Sequence, residues 1–99
     1  MSKPAFPQID LVATGANIKR LREKKGMSVQ AVQAWFEFNE PRTVYKWQSG
    51  EALPSVDNLF ALSELFGVSM NEIIVRQADP NRLKEPMKDG SVFLPRMAV

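Results

Sequence analysis

Leu11, Thr14, Ile18 and Leu21 recur at intervals of three and four residues, and the polar Lys19, Arg20, Glu23 and Lys24 fall largely off that line. That repeat marks a helix with one buried face, so a first helix is expected from Asp10 to near Lys25. Gly26 suits the left-handed residue that follows a helix, where a side chain would clash, and the lysines before it suit the negative end of the helix dipole. Ser28 stands where a hydroxyl can cap the free amides of a second helix, VQAVQAWF, with Val29, Val32 and Phe36 on one side. Pro41 interrupts the pattern, because proline has no backbone N–H to give inside a helix but fits the first turn of a new one. A third helix, RTVYKWQ, is expected to stop at Ser49-Gly50.

Ser55 caps a fourth helix, with Asp57 in its first turn and an apolar face made of Val56, Leu59, Leu62 and Phe66, ended by Gly67. Ser69-Met-Asn-Glu72 has the Ser-x-x-Glu form of a capping box, in which each side chain satisfies a backbone amide at the start of a helix; Ile73 and Ile74 follow. Residues 1 to 9 carry two prolines and no helical period and read as an extended arm. Beyond Arg76, Pro80, Pro86 and Pro95 fall within 23 residues without a sustained period, which reads as a tail. In that tail Asp89-Gly90 is a turn signal between RLKEPM and SVFLP; a small hairpin and an irregular arm both remain open. The expected organisation is thus an N-terminal arm over 1–9, one all-α domain of five helices over 10–76, and an irregular C-terminal tail over 77–99.

Composition narrows the function more than it does the fold. The chain has 99 residues, no Cys and no His, which removes disulfides, thiolate metal ligands and the commonest general base. Its carboxylates are scattered singly and it has no glycine-rich phosphate loop, so neither an enzyme, a metal site nor a cofactor is expected. No apolar run approaches the roughly 18 residues of a membrane span and no signal peptide is visible, which makes the cytoplasm the expected location. Thirteen basic residues against 11 acidic ones give a net charge of +2, compatible with a polyanionic partner without requiring one.

The third helix carries the functional signal. At 100° per residue from Arg42, Val44, Trp47 and Gln48 lie between about 140° and 240° and form an inward side. Arg42, Tyr45, Lys46 and Ser49 lie opposite, with Thr43 at the margin. That outward side offers a guanidinium, a phenol, an ammonium and hydroxyls, groups suited to phosphates and to base edges. A short amphipathic helix precedes it after a short connection and two more follow, the order of a helix-turn-helix.

At this point the chain resembles the Xre/Cro-type, lambda-repressor-like helix-turn-helix family of bacterial and phage transcription regulators. The likeness rests on NIKRLREKKGMS, TVYKWQSG, the LPSVDNL start and the LSELFGVSMNEII end, and spans about 60 of the 99 residues. It implies a sequence-specific, repressor-type regulator that binds double-stranded DNA as a homodimer, with Arg42, Thr43, Tyr45 and Lys46 meeting the duplex. Ser28, Gln30 and Ser49 join them as candidate contacts. It also implies a core of Ile18, Leu21, Val32, Phe36, Val44, Trp47, Leu59, Leu62 and Phe66.

The sequence departs from the family in four places. Val29 stands where a Gln often reaches DNA, with Gln30 next. Glu37 replaces a glycine-based turn, and a left-handed Glu37 would cost on the order of 1 kcal/mol relative to Gly. Gln48 replaces a carboxylate that would pair with Arg22, so Arg22 is expected to be partly exposed or paired elsewhere. The loop Glu51-Ala52-Leu53 is less basic than usual, so a monomer should bind weakly. These departures also leave a protein-interaction module on the same fold as a rival reading. Trp35 is either a half-buried core aromatic or part of a protein contact, and Lys19, Arg20, Lys24 and Lys25 are either a solvated cluster or a phosphate anchor.

Overall fold

Four polar side chains decide where helices begin. In a computed structural model, which describes residues 6–78, Asp10 accepts a hydrogen bond from the Ala13 amide (2.9 Å), Ser28 from Ala31 (3.0 Å) and Ser55 from Asn58 (3.2 Å). Ser69 and Glu72 complete the expected capping box. Each cap is worth about 1 kcal/mol because it satisfies an amide that the helix itself leaves free. The helices that follow are α1 (Leu11–Lys24), α2 (Val29–Phe36), α3 (Arg42–Ser49), α4 (Val56–Phe66) and α5 (Met70–Ile73), five among the described residues. None of those residues forms a strand beyond one isolated bridge. Gly26 takes a positive φ of 76° after α1, as expected.

The apolar stripes of all five helices meet in one core of Ile18, Leu21, Val29, Val32, Val44, Trp47, Leu59, Leu62, Phe66 and Ile73, with Phe36 packed at its edge. Burying each such side chain contributes roughly 1.5–3 kcal/mol before the entropy of ordering is subtracted. Val29, which replaces a polar residue of the resembled family, is part of this core. Two positions depart from the expected faces. Val56 is 73% exposed and Leu11 39%. Each is the first residue after its cap, and Val56 points roughly 90° from the mean direction of Leu59, Leu62 and Phe66.

A polar seam ties the start of α1 to the segment after α5 over this core. Thr14 is buried in α1, where its hydroxyl accepts from the Val75 amide at 2.9 Å. The Asn17 amide donates to the carbonyls of Glu72 (2.8 Å) and Ile73 (2.9 Å), which short α5 cannot satisfy within itself. Beyond it, Asp10 donates to Val75 at 2.8 Å and Gln77 to Gln8 at 2.7 Å, and Ile9 faces Arg76 in an antiparallel bridge. The inner end of the arm is therefore fastened to the segment after α5. The Lys88-Asp89-Gly90 turn and the rest of the tail from residue 79 lie outside the described residues.

Candidate nucleic-acid interface

What points the third helix outward is the way its other side is held. Val44 is fully buried and Trp47 3% exposed. Phe36 and Phe38 stack at 4.9 Å between ring centroids, and both meet the Trp47 ring edge-on, at 5.5 and 5.9 Å. The connection between α2 and α3 turns at Glu37, whose φ of 62° and ψ of 35° place it in the left-handed region. The left-handed condition posed by the sequence is therefore met, and Gln33 braces the turn by donating to the Phe38 carbonyl at 3.2 Å.

From the other side α1 lies directly on the end of α3. A β-carbon added to Gly15 would come within 2.6 Å of the Gln48 carbonyl oxygen and meet that of Trp47 closer still. Gly50, at φ 84°, ends α3 beside the Val12 backbone. Only a residue without a side chain lets these two helices approach so closely.

With Val44 and Trp47 anchored, the opposite flank is left bare. Tyr45 is 49% exposed and the Arg42 side chain 69%. Ser49 is exposed as well, while Thr43 and Lys46 are half-buried. Arg42, Tyr45, Lys46 and Ser49 line one wide, open depression. None of the described residues covers it. Ser28 and Gln30 are also exposed, at the start of α2, but they lie outside this depression; the Ser28 hydroxyl is engaged in its cap.

Two residues that the periodicity left off this face line the depression too: Lys19 from α1 and Gln48 from α3. Their place follows from the crossing of α1 over α3, of which Gly15 and Gly50 are the local signals. The lysine-rich cluster is thereby divided. Lys19 joins the α3 face, Arg20 turns to the Asn17 oxygen at 2.7 Å, and Lys24 and Lys25 border a separate cleft beside Phe66. Glu40 and Glu51 lie on the rim, so three cations stand against two carboxylates. Glu40 sits 3.8 Å from Arg42, with both side chains well exposed. Such a surface pair contributes about 0–1 kcal/mol and yields readily to a competing phosphate or base.

Arg22 is paired elsewhere, one of the two expected outcomes: it is 9% exposed, donating from Nε to Gln48 Oε1 at 2.7 Å and from Nη1 to the Met27 carbonyl at 2.8 Å. The nearest carboxylate, the exposed Glu23, is 3.9 Å away. Two neutral acceptors supplement that long ion pair, since charge-assisted hydrogen bonds are worth about 1.5–3 kcal/mol each. Trp35 is 48% exposed and packs edge-on against Phe36 at 5.0 Å, an exposed aromatic outside the buried core.

No group of three or more His, Cys, Asp or Glu side chains able to hold a metal occurs among the described residues, and none of their helices is long and apolar enough to cross a membrane.

A search of protein-family models finds no match to the chain, and neither does a search of curated proteins. Among solved structures it is similar to the DNA-binding domain of S. venezulae BldD, with a TM-score of 0.57 and 21% identity over 66% of this chain and 96% of that one. A crystal structure of the DNA-binding domain of BldD matches with the same score and identity, over 66% of this chain and 93% of that one. Likeness at this identity speaks to the fold: an all-α, lambda-repressor-like helix-turn-helix arrangement in which α2 and α3 form the central pair.

Proposed function

We propose that the protein is a sequence-specific, repressor-type transcription regulator of the Xre/Cro kind, which inserts α3 into the major groove of double-stranded DNA. The observation that carries this reading is the division of α3 into a wholly buried side, Val44 and Trp47, and an uncovered side, Arg42 and Tyr45. A helix whose polar flank is held rigidly clear of the rest of the protein has the shape that the major groove admits. In this assignment Arg42 reads a base edge, Thr43 and Tyr45 make apolar and hydroxyl contacts, and Lys46 pairs with a phosphate. Ser28, Gln30 and Ser49 contribute backbone contacts at the edges. The domain over 10–76 acts in the cytoplasm without a cofactor, metal or small-molecule ligand, and carries no enzymatic activity. One recognition helix covers a half-site, so two copies engage one operator about one duplex turn apart.

Glu40 and Glu51 on the rim favour a second reading, a protein-interaction module on the same fold, because each repels a phosphate. Selection of duplexes from a random library, followed by salt titration, separates the two. A regulator binds a selected duplex with an affinity that falls steeply with salt, and weakens when Arg42 or Lys46 is replaced by Ala. If no duplex is retained even at low salt, the interaction module is the correct reading.

A further inference from the structure

Gln48 is the residue where the buried side of α3 meets the open depression. Its Oε1 accepts from the Arg22 Nε at 2.7 Å, while the side chain also lines the depression together with Lys19, Arg42 and Lys46. Arginine carries only donors, so the amide must turn its oxygen towards Arg22 and its NH2 away from it. Among the described residues that NH2 group has no protein acceptor. Behind it stands a guanidinium that is 9% exposed, with its closest carboxylate at 3.9 Å on an exposed side chain. The positive charge is thus kept largely out of solvent and only loosely paired, and the amide bonded to it is polarised in the sense that strengthens its outward N–H.

We infer that Gln48, aimed and polarised by Arg22, is the seat of a backbone phosphate of the duplex, flanked by Lys19. The class of ligand is a phosphodiester or phosphate oxygen, an acceptor that needs both a directed donor and a nearby positive field. The charge balance of the depression explains why the amide matters. Lys19, Arg42 and Lys46 exceed Glu40 and Glu51 by one charge, and a carboxylate at position 48 would cancel that excess while neutralising Arg22. A neutral acceptor at 48 satisfies the guanidinium and preserves its field. Arg22 is in this account a positioning residue, and Gln48 is the group that touches phosphate.

The seat presupposes that a duplex is the partner of the α3 face, and Gln48→Glu tests it in the full chain. The carboxylate gives Arg22 an anionic partner, so the expected variant is at least as resistant to thermal unfolding as the parent. It binds the selected duplex at least about tenfold more weakly, lowers affinity alike for preferred and unpreferred sequences, and shallows the salt slope by about one. Arg42→Ala, by contrast, relaxes sequence preference. Unchanged affinity in Gln48→Glu overturns the seat, and so does a joint fall of stability and affinity, which would mark a structural role alone. If the parent chain binds no duplex, titration with inorganic phosphate followed by NMR decides separately. Movement of the Gln48 side-chain NH2 resonances in the parent, with no response of the neighbouring backbone signals in Gln48→Glu, sustains the phosphate seat while the DNA reading falls. Resonances that stay still in the parent overturn the seat itself.

Discussion

Replacing Gly15 by Ala sets helix propensity against packing, and the two predict opposite signs. Gly15 lies inside α1, where Ala is favoured over Gly by roughly 0.5–1 kcal/mol because it loses less backbone entropy on folding. In open space the substitution would therefore stabilise the protein. Here the added carbon falls within 2.6 Å of the Gln48 oxygen and 2.8 Å of its carbonyl carbon. A comfortable carbon–carbon separation is about 3.5–4.0 Å. The obstacles are backbone atoms of α3, so relief requires one helix to move against the other. Overpacking of this kind costs about 1–3 kcal/mol, which exceeds the propensity gain. For a domain of this size a net loss near 1 kcal/mol lowers the melting temperature by about 4–8 °C. Thermal and urea unfolding followed by circular dichroism measures it. A Gly15→Ala variant more stable than the parent would refute the close crossing of α1 and α3, and with it the assignment of Lys19 to the α3 face.

Glu37→Gly should stabilise the protein by about 0.5–1 kcal/mol, since only Gly is free of strain at φ 62°, whereas Glu37→Ala should leave the gain unrealised; denaturant midpoints of the two variants decide. Thr14→Val removes the acceptor of the Val75 amide inside the core and should cost about 1–3 kcal/mol, with hydrogen exchange at Val75 accelerating beyond the global change. Loss of stability without that local acceleration would contradict the polar seam.

The fold was largely legible because its boundaries are written in local chemistry. Serines 28, 55 and 69 cap the helices that their position announces; Asp10, expected only as the start of the first helix, caps it, and Glu37 takes the left-handed turn whose cost the sequence posed as a condition. Val56 was misplaced because it lies roughly 90° off the direction of Leu59, Leu62 and Phe66, and Leu11 because a period does not say how far a core extends along a helix. Arg22 is paired elsewhere, as the missing carboxylate implied, but its partners were not legible: the Met27 carbonyl reaches it only through the turn after α1. The α3 face was readable from the spacing of Val44 and Trp47. Lys19 and Gln48 were not, since their approach depends on a crossing between helices far apart in the chain. The rim carboxylates likewise come from the two loops flanking α3.

The central claim is that the uncovered flank of α3 reads bases from within the major groove. The most direct test replaces each guanine of a selected duplex in turn by 7-deazaguanine, which removes one major-groove acceptor, and measures binding by the parent and by Arg42→Ala. The account predicts that at one position the parent loses about 1–3 kcal/mol while Arg42→Ala, already weakened, loses nothing further. Equal binding by the parent to every substituted duplex, or an undiminished penalty in Arg42→Ala at each sensitive position, would contradict it.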